Sequence, residues 1–387
     1  YYEIFVYSFA DSNGDGVGDL KGIESKLDYI RSLGFTGIWL TPIFTSPSNH
    51  KYNAADYLTV DPVFGTNQDL GDLVTAAHAK GIKVILDLAL NHSSRSNSWF
   101  VASTNAFAKK MSGYSLSAEE EEYASLYSLY DSEAAAKSSP QGTSRIFRSY
   151  HVNAYGEDVW YECNFDADMP EFDFDSDFTR TKFEEIFDLW QNDYGVDGFR
   201  LDAVKYYYLN DLAKNVAALS RIESIAKTND PAAYIVGECW DSSGIIKDYY
   251  ASDLDSYFWF PAQGANGFIS GSTGFSGGNN GDLATGQQEM EAAAGDHIPA
   301  PFLDNHDTAR ISGGNAVTNK FEYGLLSTLS GNTFTYYGTE IGINSGATGG
   351  DSDYRTYMDW GERTITQAVL GGSAHYPFWS VQDQETD

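Results

Sequence analysis

Short apolar runs alternate with helical patterns along almost the whole chain. The runs are EIFVYSF from Glu3, GIWL around Trp39, IKVILDL from Ile82, GFRLD from Gly198, AYIVGE from Ala233, SYFWF from Ser256, APFLD from Ala300 and TFTYYG from Thr333. Each has strand length and is rich in β-branched or aromatic residues. Between them, apolar positions return every three or four residues, as at Ile23, Leu27 and Ile30, over Leu70 to Lys80 before Gly81, and at Phe183, Ile186, Phe187 and Trp190 within Thr179 to Asp193. A strand–helix unit repeated eight times predicts an α/β fold of the (β/α)8 TIM barrel kind rather than an open sheet. Most steps from strand to strand take roughly 25 to 45 residues, the size of a βα unit.

The step from Ile85 to Phe199 is far longer, and its excess is polar, aromatic and irregular. It predicts a domain inserted after strand three, dividing the chain into 1–90 (barrel, first part), 91–176 (inserted domain) and 177–387 (barrel, second part). The Gly-rich stretch GANGFISGSTGFSGGNNG from Gly264 is expected to be a long mobile loop after strand six.

Composition narrows the partners. With 387 residues, 42% of them hydrophobic, the chain can bury a large core, and its formal net charge of −31 disfavours phosphate backbones and anionic membranes. Nucleic acid and membrane insertion are therefore not expected, and no run reaches the roughly 20 apolar residues of a span. Twenty-seven Tyr, twenty-three Phe and eight Trp suit packing, but also suit stacking on flat, neutral sugar rings. Cys163 and Cys239 are too few for a disulfide framework and are expected as free thiols. The chain opens inside a strand and stops at WSVQDQETD as if a helix were about to begin, so both ends read as trimmed.

Near the start, DSNGDGVGDL places oxygen-bearing side chains at Asp11, Asn13, Asp15 and Asp19, with Gly16 at a tight corner and Val17 free to offer its carbonyl. This matches the first half of an EF-hand loop, but the twelfth position is Gly22 where a bidentate Glu should close the cage. The spacing predicts a structural metal stapling a strand-to-helix loop, with a plain Asp/Asn/Gly turn as the alternative.

In a parallel barrel the reactive groups stand at the carboxyl ends of the strands. Strand three ends in DLALNH with Asp87, Asn91 and His92; strand four in GFRLDAVK with Arg200, Asp202 and Lys205; strand five in VGECW with Glu238; strand seven in FLDNHD with Asp304, Asn305, His306 and Asp307. One such Asp could merely cap the following helix. Asp202, Glu238 and Asp307 together suit retaining cleavage of a glycosidic bond, which needs a carboxylate nucleophile and a protonated carboxyl across an oxocarbenium-like transition state. Arg200, two residues before Asp202 and on the same face, is expected to keep Asp202 ionised, while Glu238 among like charges holds its proton longer.

DLALNH, GFRLDAVK, VGECW and FLDNHD, in this order, resemble the signature regions of the α-amylase family of glycoside hydrolases, and DADMPEFDF around Asp168 resembles the further region at the end of that family's inserted domain. The resemblance runs from Tyr1 to about Trp360. It implies Asp202 as nucleophile, Glu238 as acid/base and Asp307 as transition-state stabiliser, with Arg200, His92 and His306 around the cleaved sugar. It further implies that Tyr52 in NHKYNAADY stacks on that sugar and that Lys205 lies toward the leaving group. DSNGDGVGDL is similar to the first βα loop of the family's α-glucosidase-like and related α-amylase branches, where it holds calcium, so Ca2+ is the implied ion, held by Asp11, Asn13, Asp15, Val17 and Asp19.

The chain also departs from the family pattern. Relatives that trim glucose from chain ends usually carry Tyr-Asp where this chain has Tyr52-Asn53, which favours an endo-acting α-amylase on α-glucan over an exo-acting α-glucosidase, oligo-1,6-glucosidase or glucosyltransferase. Tyr206 replaces the His expected after the DAVK lysine, which speaks against a second calcium site near Asn91. Against that pattern the sequence is expected to stop before most of helix eight and before the family's usual C-terminal β-sandwich. A monomer acting outside the cell completes these expectations, since starch does not cross membranes.

Overall fold

The computed structural model describes residues 1–139, 145–264, 267–273, 283–311, 316–343, 350–361 and 380–382. Seven parallel strands form one curled sheet in the spatial order Ser256–Tyr257, Tyr234–Gly237, Gly198–Leu201, Lys83–Leu88, Gly37–Leu40, Tyr2–Ile4 and Thr335–Tyr336. The eighth place is taken by residues 300–302, which join the two edges through single parallel bridges, Phe258 to Ala300 and Phe302 to Phe334. This closes the eight-fold barrel that the alternating runs predict.

The strands read as continuous apolar runs because both their faces are covered. Ile38, Leu40, Val84, Ile85, Leu86, Phe199, Leu201, Ile235 and Val236 are fully buried. Several runs are longer than the strands within them. EIFVYSF gives strand only at Tyr2–Ile4 and then turns into the short helix Val6–Phe9, and SYFWF gives Ser256–Tyr257 before a 3-10 turn at Phe260–Ala262. APFLD contributes bridges instead of a strand. The Ile23, Leu27, Ile30 pattern folds as two helices, Leu20–Ser25 and Leu27–Ser32, that bury all three residues.

The helix after the second strand spans Asn67–Ala79, opened by a reciprocal Thr66–Asp69 capping box and ended where Gly81 takes a φ of 71°. That of 179–193 is an α-helix over Asp177–Asp188 continued by a π-turn, Leu189–Asp193, and it buries Phe183, Ile186, Phe187 and Trp190. Between Lys83–Leu88 and this helix the chain builds helices Ser98–Met111, Ala118–Ala124 and Glu133–Lys137. It also builds a three-stranded antiparallel sheet in which Glu157–Glu162 lies between Leu129–Tyr130 and Phe147–Val152. Bridges from His92 to Glu171 and from Tyr127 to Phe172 bring this excursion back to the barrel mouth.

Cys163 and Cys239 are buried free thiols. Of the Gly-rich stretch, residues 268–273 form a helix, Phe268–Thr273; residues 265–266 and 274–281 lie outside the described residues. No helix among the described residues is long and apolar enough to cross a membrane.

Candidate active site

Arg200 is the centre of the barrel mouth. Its side chain is fully buried; Nη1 donates to Asp87 Oδ1 at 2.8 Å and to Asp202 Oδ1 at 2.7 Å, and Nη2 forms an ion pair with Glu238 Oε1 at 2.7 Å. The strand register explains this meeting. Asp87 pairs directly with Arg200 across neighbouring strands, while Asp202 and Glu238 follow the last residues of two paired strands. The guanidinium rests over the rings of Trp39 (5.2 Å) and Tyr52 (5.8 Å), so the charge is packed against aromatic faces below the cleft.

Around this centre the side chains hold one another. Glu238 Oε2 accepts from Ala203 N at 3.0 Å. Asp87 Oδ2 accepts from Tyr52 Oη at 2.9 Å and Trp39 Nε1 at 3.2 Å. His306 stacks on Tyr52 with rings 8° apart, meets its hydroxyl at 2.5 Å through Nε2, and bonds Glu3 Oε1 through Nδ1 at 2.7 Å. Asp307 lies between His306 Nε2 (3.0 Å) and Arg355 Nη2 (2.6 Å), and Arg355 also reaches Asp351 at 3.2 Å. A cleft of about 330 Å³ is lined by Tyr52, His92, Asp202, Glu238, Asp307 and Arg355, with the half-exposed rings of Phe165 and Trp240 on its walls.

The protonation states divide. Burial pushes the Glu238 carboxyl up to about 7, a rise that Arg200 opposes. Burial likewise lifts Asp202 and Asp87 to about 6, each held down in part by Arg200. Burial also acts upward on Asp307, but His306, Arg355 and Arg200 outweigh it and leave that carboxyl well below its usual range. His306 is raised to about 10 because Asp307 and Glu3 overcome its desolvation, whereas burial lowers His92 to about 4. Near neutral pH the cleft thus offers one ionised carboxylate, Asp307, one carboxyl still partly protonated, Glu238, and one between them, Asp202.

The structure brings Tyr52, His92, Arg200, Asp202, Glu238, His306 and Asp307 together. Lys205 stands beside the cleft instead of in its lining: Nζ donates to Trp240 O at 2.6 Å and Asp241 Oδ2 at 2.8 Å, facing a neighbouring groove. Sequence reasoning gave Arg200 to Asp202 alone; the guanidinium is shared with Glu238 and Asp87. It also passed over Glu3, a carboxylate inside an apolar run, and Asp351 and Arg355, which carry no local motif.

The Asp11 to Asp19 loop is a chain of side-chain-capped turns. Asp11 accepts from the N–H groups of Asn13 (3.0 Å), Gly14 (2.7 Å) and Gly16 (2.8 Å), and Asn13 and Asp15 cap Asp15 N and Val17 N, each at 2.9 Å. Asp19 accepts from Ser12 N at 2.9 Å and Gly22 N at 2.7 Å, which opens the helix Leu20–Ser25. The twelfth position is Gly because a Cβ on Gly22 would stand 2.0 Å from the Ala10 carbonyl oxygen. The donors have the hard-oxygen chemistry of a calcium site. Among the described residues no group of three Asp, Glu, His or Cys side chains is placed to hold a metal; the set expected in this loop also draws on the Asn13 amide and the Val17 carbonyl.

A closed parallel barrel with an acidic cleft at its strand ends, two of whose carboxyls share one buried guanidinium, has the equipment for acid–base and nucleophilic work at one bond. The chain belongs to the alpha-amylase family: residues 3–370 match the family's catalytic domain. It is 35% identical over 359 residues to "Alpha-amylase 3" of Dictyoglomus thermophilum, covering 89% of this chain and 64% of that protein. It is 30% identical to "Maltase A2" of Drosophila melanogaster over 97% of this chain and 70% of that one. Among solved structures, "Eubacterium rectale Amy13B" superposes with a TM-score of 0.84 at 31% identity, covering all of this chain and 74% of that one. The chain thus spans somewhat under two thirds of the amylase's length and somewhat over two thirds of the maltase's.

Proposed function

We propose that this chain cleaves internal α-1,4-glucosidic bonds of starch and maltooligosaccharides with retention, as an α-amylase does. The observation that carries this reading is the pairing of Asp202 and Glu238 on Arg200 with unequal hold on their protons. Asp202 attacks the anomeric carbon while Glu238 gives its proton to the leaving glycosidic oxygen. Glu238 then takes a proton from the water that attacks the same carbon and releases Asp202. Asp307, held ionised by His306 and Arg355, favours the positive charge that develops between these steps.

An endo-acting cleft is supported by Asn53, whose amide is spent on neighbouring protein groups and brings no charge to the glycone end. The second reading, exo-hydrolysis or glucosyl transfer on short α-glucosides, is favoured by the likeness to a maltase across nearly the whole chain. Early products from a long linear maltooligosaccharide separate the two. A spread of short oligosaccharides in the α-anomeric form is expected; glucose alone from the first minutes would replace the first reading with the second.

Calcium in the Asp11 to Asp19 loop belongs to the same proposal, as does action outside the cell. The side-chain oxygens that already accept from the loop's backbone N–H groups would turn further lone pairs to bound calcium, fixing the loop without entering the chemistry. Chelation with EGTA is expected to lower the unfolding midpoint, by the equivalent of about 2.7 kcal/mol if the free ion stood at about 100 times its dissociation constant. An unchanged midpoint would assign the loop to its turns alone.

A further inference from the structure

Asn53 is 6% exposed and sits at the centre of the loop that carries His50 and Tyr52. Its Oδ1 accepts from Ser46 Oγ at 2.8 Å and from Ser48 Oγ, and Ser48 Oγ also meets His50 Nδ1 at 3.3 Å. His50 Nδ1 accepts in turn from Tyr52 N at 3.1 Å. The other end of the amide, Nδ2, donates to Asp168 Oδ2 at 2.8 Å. Asp168 belongs to the return from the inserted segment and is held by Ser94 Oγ at 3.0 Å and Arg95 Nε at 3.2 Å. Next to this contact, Ala54 O accepts from Ser94 N at 2.9 Å and Asn97 Nδ2 at 3.2 Å.

We infer that Asn53 is a positioning residue: a neutral strut that takes hydroxyl donors at one end, gives an N–H to the Asp168 carboxylate at the other, and so fixes Tyr52 and His50 against the inserted segment. The chemistry of the two ends dictates an amide. Oδ1 must accept and Nδ2 must donate, and a carboxylate at this position would turn an oxygen toward the Asp168 oxygen. Two carboxylates at such a distance resist ionising together, so one of them keeps its proton to a higher pH. The consequence for the cleft runs through Tyr52, whose hydroxyl bonds Asp87 and His306 and whose ring underlies Arg200.

The inference uses the proposed hydrolysis as its readout, so the test includes one measure that does not need it. The variants are Asn53→Asp, Asp168→Asn and the double variant, which exchanges amide and carboxylate across the contact. Asn53→Asp is expected to lower kcat on maltoheptaose by on the order of 10-fold at pH 8, because a misplaced contact group costs rate even without touching the reacting bond. At pH 5, where the pair can share a proton, its deficit relative to the parent should shrink. The double variant should recover to within about 3-fold across the pH range, as double-mutant cycles read a direct contact. A purely space-filling Asn53 would give a loss that neither falling pH nor Asp168→Asn repairs, and that result overturns the inference.

If the parent protein does not cleave the substrate, the proposed activity fails by itself and thermal unfolding of the same variants still tests the strut. A carboxyl whose folded pKa is raised loses stability as pH rises through that value. Asn53→Asp should therefore lose several degrees of midpoint between pH 5 and 8 relative to the parent, with recovery in the double variant. Additive shifts independent of pH would overturn it.

Discussion

Replacing Glu238 by glutamine is expected to lower kcat on maltoheptaose by roughly 10² to 10⁴-fold, the range over which a positioned proton donor contributes. Glutamine keeps the shape but offers one acceptor oxygen where Arg200 and Ala203 N each donate to a separate Glu238 oxygen, so the loss contains one hydrogen bond as well as the proton. The pH profile carries the same information. In the parent, activity should fall below about 6 as Asp202 takes up a proton, and above about 7 as Glu238 gives its proton away. The variant should lose the alkaline limb. A maltosyl fluoride, whose leaving group needs little protonation, should glycosylate the variant readily and stall there, and added azide, which needs no general base, should restore turnover. Activity within 10-fold of the parent would move the acid role to another group in the cleft.

The second large effect is expected at Arg200. Lysine preserves the charge but has one nitrogen, whereas the guanidinium spans Asp87, Asp202 and Glu238 from two. At least one buried carboxylate is then left without its partner, a loss of about 3–5 kcal/mol when a buried pair is broken. Arg200→Lys should show this in denaturant midpoints, together with a fall in kcat. The acid limb should also move to higher pH, since Asp202 beside a weaker or more distant cation holds its proton longer. A stable variant with an unmoved acid limb would mean that the three carboxyls do not depend on this one cation.

Much of this site was legible because barrel topology turns sequence position into spatial position. A carboxylate that ends an apolar run lands on the mouth, so Asp202, Glu238 and Asp307 could be grouped before their distances were known. Contacts that cross the barrel could not. Arg200 reads as Asp202's partner from its two-residue spacing, but its bonds to Asp87 and Glu238 depend on register between strands. Arg355 reaches Asp307 from a segment with no motif. Strand lengths were overread for a related reason: a short apolar run buried on all sides has the same composition as strand or helix, and Val6–Phe9 folds as helix. Asn53 was read as a missing charge at the sugar; its hydrogen bonds give the amide a structural task of its own.

The bond from Glu3 to His306 joins residues 303 positions apart, and Tyr2 reaches Glu340 across 338. Contacts of such separation form late, after the entropy of closing a very long loop has been overcome. During synthesis, which proceeds from the N-terminus, the first strand must therefore wait with its glutamate unpaired until the seventh and eighth positions of the barrel have left the ribosome. The cleft is in this sense a product of ring closure: a nascent chain can hold Asp202, Glu238 and their shared Arg200, yet lack the His306 and Asp307 that complete the mouth.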